Sequence, residues 1–214
     1  MPRNKLFKKQ EVKTFKNSFF PKDGDKEKDV RDYFNNENPI TLEIGCGHAD
    51  ITLRSAEKYP DRNFIGVDVK KTRLWNGAKE ALDLNLNNAA FLSSSAEELN
   101  GFFITEKIDE IWIPFPDPYS RRRSEKKRLI APSFMNVYKD ILSKNGRVHL
   151  KTDNEGLFNY ALDVIKKLDL KILEISDNLY LNEATLLEEN VQTVYEKHYL
   201  DEGRVIKYIS FTFL

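Results

Sequence analysis

Residues 40–50 read Ile-Thr-Leu-Glu-Ile-Gly-Cys-Gly-His-Ala-Asp, and this stretch decides the fold. Ile40–Ile44 is a continuous apolar run, which predicts a buried strand. Gly45 and Gly47 let the backbone turn sharply and approach a ligand closely before a helix begins near Ile51. A strand, a glycine turn and a helix in that order are typical of the first unit of a nucleotide-binding α/β sheet.

Strands and helices alternate along the rest of the chain. Apolar runs predict strands over residues 40–44, 64–69, 90–92, 108–113, 146–151 and 171–176. Alternation of Ile206, Tyr208 and Ser210 with Lys207, Ile209 and Phe211 predicts a terminal strand over residues 206–213. Helical spacing of apolar residues predicts helices over residues 51–59, 74–86, 96–103, 132–142 and 156–168. This alternation predicts an α/β fold with a doubly wound, mostly parallel, seven-stranded sheet.

The N-terminal stretch has a different composition. Residues 1–36 are polar and Lys-rich, are interrupted by Pro21 and Gly24, and show no sustained periodicity. We therefore predict a basic, flexible N-terminal arm over residues 1–36 and a single domain over residues 37–214. A hydrophobic content of 40% in 214 residues, with 14 Phe and 9 Tyr, is sufficient for the core of one α/β domain.

Cysteine use and hydropathy indicate the cellular setting. Cys46 is the only cysteine, so no internal disulfide can form, which fits a reducing cytosol. No apolar run approaches the length of a membrane span, and the N-terminus lacks the apolar segment of a signal peptide. We expect a soluble, cytoplasmic protein with no membrane partner.

Charge is balanced overall but segregated locally. The chain has 34 basic and 34 acidic residues, yet residues 1–22 hold seven Lys and Arg against one acid. Residues 121–128 hold six cations against one acid. Either run alone can be ordinary solvated surface. Two such runs in a neutral chain favour a partner that carries phosphates.

The glycine turn is combined with acids that suit a cationic nucleoside. Asp68 ends the second predicted strand 25 residues after Glu43, where a nucleotide-binding unit places the acid that accepts hydrogen bonds from ribose hydroxyls. Glu43 and Asp50 flank the glycines and would repel a pyrophosphate. S-adenosylmethionine, with its sulfonium and ammonium groups, fits such a site. The alternative to a cofactor site is a purely structural tight turn beside a surface acid. Ser95, after the third predicted strand, can border the adenine or be an ordinary loop serine.

Asp117 lies between Pro116 and Pro118 in the turn after the fourth predicted strand. Each proline fixes its own φ and restricts the residue before it, so the carboxylate stands on a stiff backbone. This turn is expected at the carboxyl edge of the sheet, where ligands of open α/β sheets bind. Asp117 is therefore the candidate catalytic residue. The cations that follow are candidate phosphate contacts: Arg121, Arg122, Arg123, Lys126, Lys127 and Arg128.

Two later motifs are weaker by themselves. Asp153, in Lys151-Thr-Asp-Asn, follows the fifth predicted strand and shares the carboxyl edge of the sheet. Thr193-Val-Tyr-Glu lies in a segment with little predicted structure, where a polar loop is the plain interpretation. The histidines are too scattered for a metal site, so we predict no metal. Neither the cysteine nor any serine has an identifiable base partner for a hydrolytic triad.

Taken together, these motifs resemble the bacterial tRNA (guanine-N7-)-methyltransferases over roughly residues 38–213. Phe115-Pro-Asp-Pro-Tyr and the basic run ending at Leu129 resemble the family's F-P-D-P-W-x-K-x-R-x-x-K-R-R. Glu43-x-Gly-x-Gly, Lys151-Thr-Asp-Asn and Thr193-x-Tyr-Glu match three further family motifs. The resemblance implies the class I methyltransferase Rossmann-like fold with an antiparallel terminal strand. Departures from the family pattern occur at Ala49, Ser95, Tyr119 and Arg121.

The resemblance also implies roles for individual residues. S-adenosylmethionine would be bound by Glu43, Gly45, Gly47, Asp68, Ser95 and Asp117. The target guanosine would be bound by Arg121, Asp153, Thr193, Tyr195 and Glu196. RNA would be contacted by Arg122, Arg123, Lys126, Lys127 and Arg128. The implied substrate is guanine 46 of the tRNA variable loop, and the chain would act as a monomer or homodimer.

Three other functions remain open at this point. Asp117-Pro-Tyr faintly resembles the D/N-P-P-Y/F loop of exocyclic-amine nucleic-acid methyltransferases, although that loop needs two prolines in tandem. A non-catalytic RNA-binding subunit with a vestigial Rossmann domain would not need an intact cofactor motif. A small-molecule methyltransferase would leave both basic runs unexplained.

Overall fold

The computed structural model describes residues 2–181 and 191–214, which form one eight-stranded α/β sheet with flanking helices. The strands are β1 Ser18–Phe19, β2 Ile40–Ile44, β3 Asn63–Val67, β4 Ala89–Leu92, β5 Ile108–Pro114, β6 Leu142–Thr152, β7 Lys171–Ser176 and β8 Lys207–Thr212. The α-helices are α1 Pro2–Glu11, α2 Glu27–Phe34, α3 Asp50–Lys58, α4 Lys71–Asp83, α5 Leu99–Phe102, α6 Pro132–Ile141, α7 Glu155–Lys167 and α8 Val194–Asp201. Short 3₁₀ turns cover residues 12–14, 21–23, 96–98 and 122–127.

The strand order places a ligand crevice at the centre of the sheet. The order is β1-β4-β3-β2-β5-β6-β8-β7; β8 runs antiparallel to both β6 and β7, and every other neighbouring pair of these described strands is parallel. The predicted doubly wound sheet with an antiparallel terminal strand is therefore confirmed, with β1 as an added edge strand. Strand order reverses between β2 and β5, and ligands bind at the carboxyl ends beside such a reversal.

The central strands are buried because helices cover both faces of the sheet. All residues of β2 and β3 are buried, as continuous apolar runs predict. Helix α4 packs closely on one face through Gly77, where an added Cβ would lie 2.7 Å from Phe91 Cε1 and 2.9 Å from Ala49 Cβ. This close approach fixes α4, and with it the start of that helix, beside the glycine turn.

Residues 2–36 join the sheet more closely than their composition indicates. Strand β1 pairs in parallel with β4, and Phe19, Val30 and Phe34 enter the main core. A two-residue strand is too short to show alternation, and only Val30 and Phe34 of α2 are buried, which explains why no element is predicted here. The division into an arm and a domain, and the flexibility of the arm in solution, stay predictions.

Helix α8 replaces the polar loop that the sequence analysis assigns to this segment, so that assignment is wrong. The Thr193 hydroxyl accepts a hydrogen bond from the Glu196 amide at 3.0 Å, and the Glu196 carboxylate accepts one from the Thr193 amide at 3.2 Å. This reciprocal pair is a capping box. Its Thr-x-x-Glu signature is present in the sequence and predicts the helix start. Within the described ranges, no helix is both long and apolar enough to cross a membrane.

Candidate functional site

Two adjacent cavities occupy the carboxyl ends of β2, β3 and β5. The larger cavity, of about 490 Å³, extends from the end of β3 past the segment after β4 to the turn after β5. The smaller cavity, of about 240 Å³, lies between the glycine turn, the turn after β5 and the start of α8. Gly45, Arg73 and Asp117 line both cavities. The two cavities therefore form neighbouring chambers of one site.

The glycine turn after β2 forms the floor between the chambers. Gly45 and Gly47 have φ values of +72° and +57°, a region that favours glycine. The amides of Gly45 and Cys46 donate to the Val67 carbonyl at 2.8 Å and 3.0 Å, which ties the turn to the end of β3. Ala49 also has a positive φ, +63°, at a strain of roughly 1–2 kcal/mol. The turn is thus held in a strained, open shape.

Glu43 brings a buried carboxyl to the smaller cavity. Its Oε2 accepts hydrogen bonds from the Thr52 amide at 2.8 Å and the Thr52 hydroxyl at 2.7 Å. Burial outweighs these bonds and raises the pKa of Glu43 to about 7. The carboxyl is therefore poised to lose its proton near neutral pH, and an adjacent cation would favour its ionised form.

Asp68 is buried at the end of β3, and its carboxylate lines the larger cavity. Its Oδ1 accepts from the Lys70 amide at 2.8 Å, and its Oδ2 accepts from the Gly47 amide at 3.2 Å. Arg73 Nη1 lies 3.5 Å from Asp68 Oδ2. Ser95 lines the same cavity. Of the residues predicted to bind S-adenosylmethionine, Gly45, Asp68, Ser95 and Asp117 therefore line the larger chamber, whereas Glu43 and Gly47 line the smaller one.

Asp117 stands on a turn bounded by two strained residues. Phe115 and Tyr119 have φ values of +47° and +39°, which non-glycine residues rarely adopt and which costs of order 1–3 kcal/mol each. The Phe115 amide donates to the Lys151 carbonyl at 2.8 Å. Such strain persists only where the surrounding structure enforces it. The Asp117 side chain is exposed and forms part of the wall shared by both chambers.

Arg128 supports this turn from beneath. Its Nε donates to the Pro118 carbonyl at 2.8 Å, and its Nη2 donates to the Tyr119 carbonyl at 3.2 Å. The guanidinium also lies 4.3 Å from the centre of the Tyr160 ring, and the side chain is buried. The sequence analysis places Arg128 among the RNA contacts, whereas this geometry directs the charge inward. A buried guanidinium committed to two carbonyls is not available to a phosphate.

The other cations of this run are exposed around the mouth of the site. Lys127 lines the larger cavity, while Arg121, Arg122, Arg123 and Lys126 lie outside both chambers. They occupy the 3₁₀ turn at residues 122–127 and its N-terminal flank. Arg121, the predicted guanosine contact, is therefore exposed and lines neither chamber, and its role stays a prediction.

A second basic surface adjoins the larger cavity. We call it the α1 groove, and its basic lining residues are Lys5, Lys9, Lys13, Lys70 and Lys71. Lys13 and Lys71 form ion pairs with Asp23 at 2.8 Å and 3.2 Å. The groove also shares Lys70 with the larger cavity. The second basic run therefore reaches the larger cavity through Lys127, while the first lines the α1 groove that adjoins this cavity at Lys70.

The start of α8 closes the smaller cavity. Thr193 and Tyr195 line the cavity, together with Tyr199. Tyr199 packs edge-to-face against Phe115, with ring centres 5.4 Å apart. This contact links α8 to the Asp117 turn.

Asp153 follows β6 and lines neither cavity. Its Oδ2 accepts a hydrogen bond from Arg204 Nη1 at 2.7 Å. The same guanidinium lies 4.6 Å from the centre of the Tyr199 ring and, like Asp153, lines neither cavity. The predicted guanosine contact at Asp153 is thus engaged by an arginine outside both chambers.

Glu196 is fully buried and does not line the smaller cavity, although Thr193 and Tyr195 at the start of α8 do. Its Oε2 lies 2.6 Å from Lys151 Nζ, and its Oε1 accepts from the Tyr180 hydroxyl at 2.8 Å. Lys151 Nζ also donates to the Val191 carbonyl at 2.9 Å. The pair therefore joins α8 to β6, and the predicted guanosine contact at Glu196 is replaced in this geometry by a structural one.

Sequence reasoning missed Arg73 and Lys151. Arg73 occupies an ordinary surface position in the first turn of α4, and nothing local marks it. Lys151 stands at the end of an apolar strand, and a charged residue in a buried strand signals a partner. The part of the chain described by the structure contains no group of three or more potential metal ligands, and the absence of a metal stays a prediction.

Comparisons with known proteins show which family and which fold this chain is similar to. A family model described as a putative methyltransferase matches residues 37–209. The tRNA (guanine-N(7)-)-methyltransferase of Christiangramia forsetii is 38% identical over 218 residues, which cover 98% of this chain and 97% of that protein. The protein of the same name from Cytophaga hutchinsonii is 40% identical over 185 residues, which cover 86% of this chain and 84% of that protein.

Solved structures share the fold at low identity. The 16S rRNA methyltransferase KamB superposes with a TM-score of 0.64 at 12% identity, covering 87% of this chain and 93% of KamB. A putative methyltransferase from Streptococcus mutans in complex with SAH superposes with a TM-score of 0.52 at 15% identity, covering 85% of this chain and 95% of that protein. At these identities the likeness shows the fold alone.

Proposed function

The chain belongs to the tRNA (guanine-N7-)-methyltransferase family, and we propose that it transfers the methyl group of S-adenosylmethionine to N7 of guanine 46 in the tRNA variable loop. The observation that carries this assignment is the position of Asp117 on the wall shared by the two chambers. The larger chamber would hold the adenosine part of the methyl donor, and its methionyl end would extend into the smaller chamber beside Glu43. The guanine would enter the smaller chamber on the side of its aromatic residues, so the reactive atoms would meet beside Asp117.

The larger chamber fits the nucleoside part of the donor. Asp68 offers a buried carboxylate to ribose hydroxyls, and Ser95 borders the position expected for the adenine. The glycine turn admits the donor close to the backbone because Gly45 and Gly47 carry no side chain. Glu43 and Asp117 supply negative charge towards the sulfonium and ammonium groups. This set of residues suits a cationic nucleoside without phosphates.

The smaller chamber fits a flat base that has left its stack. Phe115, Tyr195 and Tyr199 bring three aromatic rings to its walls. Aromatic side chains stack on unstacked RNA bases, and carboxylates can accept from their exposed N–H groups. Asp117 would accept from the N1–H and the amino group of guanine. That pairing selects guanine over adenine because adenine offers no N1–H.

The methyl transfer requires that guanine N7 be aligned with the methyl group and its sulfur, and it does not require proton transfer from N7. Guanine N7 carries a lone pair and no proton, so no general base is required. S-adenosylmethionine supplies an electrophilic methyl group on a sulfonium. Asp117 holds the guanine in line with that methyl group, an effect that can lower the barrier by up to ~7–11 kcal/mol. The braced turn at Phe115 and Tyr119 keeps the carboxylate at a fixed position.

Exposed cations would hold the rest of the tRNA. Arg121, Arg122, Arg123, Lys126 and Lys127 are exposed on the segment that follows the Asp117 turn, Lys127 lines the larger chamber, and the α1 groove adjoins that chamber. Phosphate contacts position an RNA without reading its sequence. Methylation is therefore expected to weaken steeply as salt rises, which a small-molecule methyltransferase would not show.

Labelled S-adenosylmethionine and a matched set of tRNA transcripts test this function. We expect N7-methylguanosine in the unmodified transcript and none when position 46 carries adenine. A transcript with 7-deazaguanine at position 46 is the sharper control, because it keeps the amino group and lacks only N7. Label in the 7-deaza transcript would favour the exocyclic-amine alternative, and absence of S-adenosylmethionine binding would favour the non-catalytic subunit.

Asp117→Asn separates alignment from base catalysis. The amide keeps the shape of the side chain but presents donors to the guanine edge, so we expect methylation to fall with no ionisation removed from the pH–rate profile. Loss of a base-type ionisation in this variant would contradict the alignment mechanism.

A further inference from the structure

Arg73 places one positive charge in an otherwise acidic chamber. Among the described residues that line the smaller cavity, Arg73 is the one lysine or arginine, whereas Glu43, Asp50 and Asp117 are acids. The same side chain also lines the larger cavity. Arg73 therefore stands where the two chambers join, beside the glycine turn, in a position that no sequence motif marks.

The contacts of Arg73 leave much of its guanidinium open to a ligand. Nη1 lies 3.5 Å from Asp68 Oδ2, which is the one carboxylate within ion-pair distance of it in the described ranges. About half of the side chain is exposed. A guanidinium presents five N–H donors in a planar fork, and this ion pair engages one edge.

The charges on the methionyl end of the methyl donor suit a guanidinium at this position. Its methionyl end carries an ammonium, which suits the acids of the chamber, and a carboxylate, which those acids repel. An unpaired carboxylate in this chamber would lose its hydration among like charges. Arginine binds carboxylates through two parallel hydrogen bonds. We propose that Arg73 binds the α-carboxylate of the methionyl group of S-adenosylmethionine, an inference that rests on the proposed function for the identity of the ligand.

Two other roles for Arg73 predict different measurements. Arg73 could instead orient Asp68, in which case its loss would weaken every ligand that uses the ribose site. It could also meet an RNA phosphate, in which case its loss would leave donor binding intact. The carboxylate role affects only ligands that carry the amino-acid end.

Calorimetry with two ligands distinguishes these roles without any turnover. S-adenosylhomocysteine has the amino-acid end, whereas 5′-methylthioadenosine keeps the adenosine and the thioether and lacks that end. For Arg73→Met we expect S-adenosylhomocysteine to bind roughly tenfold or more weakly, with 5′-methylthioadenosine unchanged. Arg73→Lys should lie between, because lysine keeps the charge but loses the planar fork.

The matched control is Arg54→Met, which removes an exposed arginine of α3 that lines neither cavity. It should bind both ligands as the parent protein does, and thermal unfolding checks that all variants are folded. Equal weakening of both ligands in Arg73→Met would overturn the carboxylate role in favour of Asp68 support. Unchanged binding of both would overturn it as well, and a raised KM for tRNA would then indicate a phosphate contact. Failure of the parent protein to bind S-adenosylhomocysteine would instead contradict the proposed function, and this inference would fall with that function.

Discussion

The buried ion pair between Lys151 and Glu196 leads us to predict a large loss of stability when Lys151 is replaced. Both side chains are completely excluded from solvent, with Nζ and Oε2 2.6 Å apart. Burial lowers the pKa of Lys151, and the Glu196 carboxylate opposes that shift. Lys151→Met would remove the cation and leave Glu196 buried, and among the described residues its carboxylate would keep the bonds to the Tyr180 hydroxyl and the Thr193 amide.

The magnitude follows from the fate of the remaining carboxylate. Breaking a buried pair by removing one partner costs about 3–5 kcal/mol, because the other charge stays uncompensated. In a chain of this length each kcal/mol lowers Tm by about 2–4 °C. Lys151→Met should therefore lower Tm by about 6–20 °C. Replacing both partners with apolar residues is often neutral, so Lys151→Met combined with Glu196→Leu should recover most of the loss.

Urea unfolding of the parent, the two single variants and the double variant measures this coupling. Lys144→Met is the matched control, because Lys144 is an exposed lysine of the same strand β6 and should change stability by less than ~0.5 kcal/mol. A loss below about 1 kcal/mol in Lys151→Met, or losses that simply add in the double variant, would refute the argument.

The remaining predictions concern charge and packing around the site. Because burial raises the pKa of Glu43 to about 7 from 4.5, the free energy of unfolding of the ligand-free protein should fall between pH 4.5 and 7 relative to Glu43→Gln. Affinity for S-adenosylmethionine should rise as pH increases through the pKa of Glu43 in the parent, and calorimetry should find this dependence lost in Glu43→Gln. Gly77→Ala should destabilise in urea despite a helix-propensity gain of about 1 kcal/mol, because the new Cβ would meet Phe91 Cε1 at 2.7 Å and overpacking costs about 1–3 kcal/mol. Lys5→Gln with Lys9→Gln should raise the KM for tRNA and reduce the salt slope by about 2, with kcat unchanged.

The glycine and lysine variants each have a control in the same chain. Gly101→Ala places a methyl group where nothing lies within 4 Å, so it should be neutral or stabilising. Lys166→Gln with Lys167→Gln removes exposed charges from the C-terminal end of α7 and should leave the KM for tRNA unchanged. A Gly77→Ala variant as stable as the parent would contradict the packing argument, and a parallel pH dependence in Glu43→Gln would show that another group titrates. An unchanged salt slope would exclude the α1 groove from RNA binding.

The sequence by itself determined the sheet and the chemistry at its centre. The parallel strands β2 to β5 are short apolar runs and could be predicted without knowing their neighbours. The antiparallel strand β8 follows from alternation, and β7 could be predicted although most of it is exposed. The topology then brings the carboxyl ends of β2, β3 and β5 together, which explains why Glu43, Asp68 and Asp117 share one site although they are distant in the chain. The local sequence was sufficient to predict a strand, or a side chain at the end of a strand, wherever that prediction depended on one element alone.

Tertiary structure decided which side chains face the site. Arg128 belongs to the same basic run as Lys127, yet two carbonyls of the Asp117 turn draw it inward while Lys127 lines the larger cavity. Glu196 pairs with Lys151 across 45 positions, and Arg73 reaches both chambers from the side of α4. Periodicity reports only the environment averaged along one element. The direction of a long charged side chain depends on partners that folding brings together from elsewhere in the chain, and no local pattern contains them.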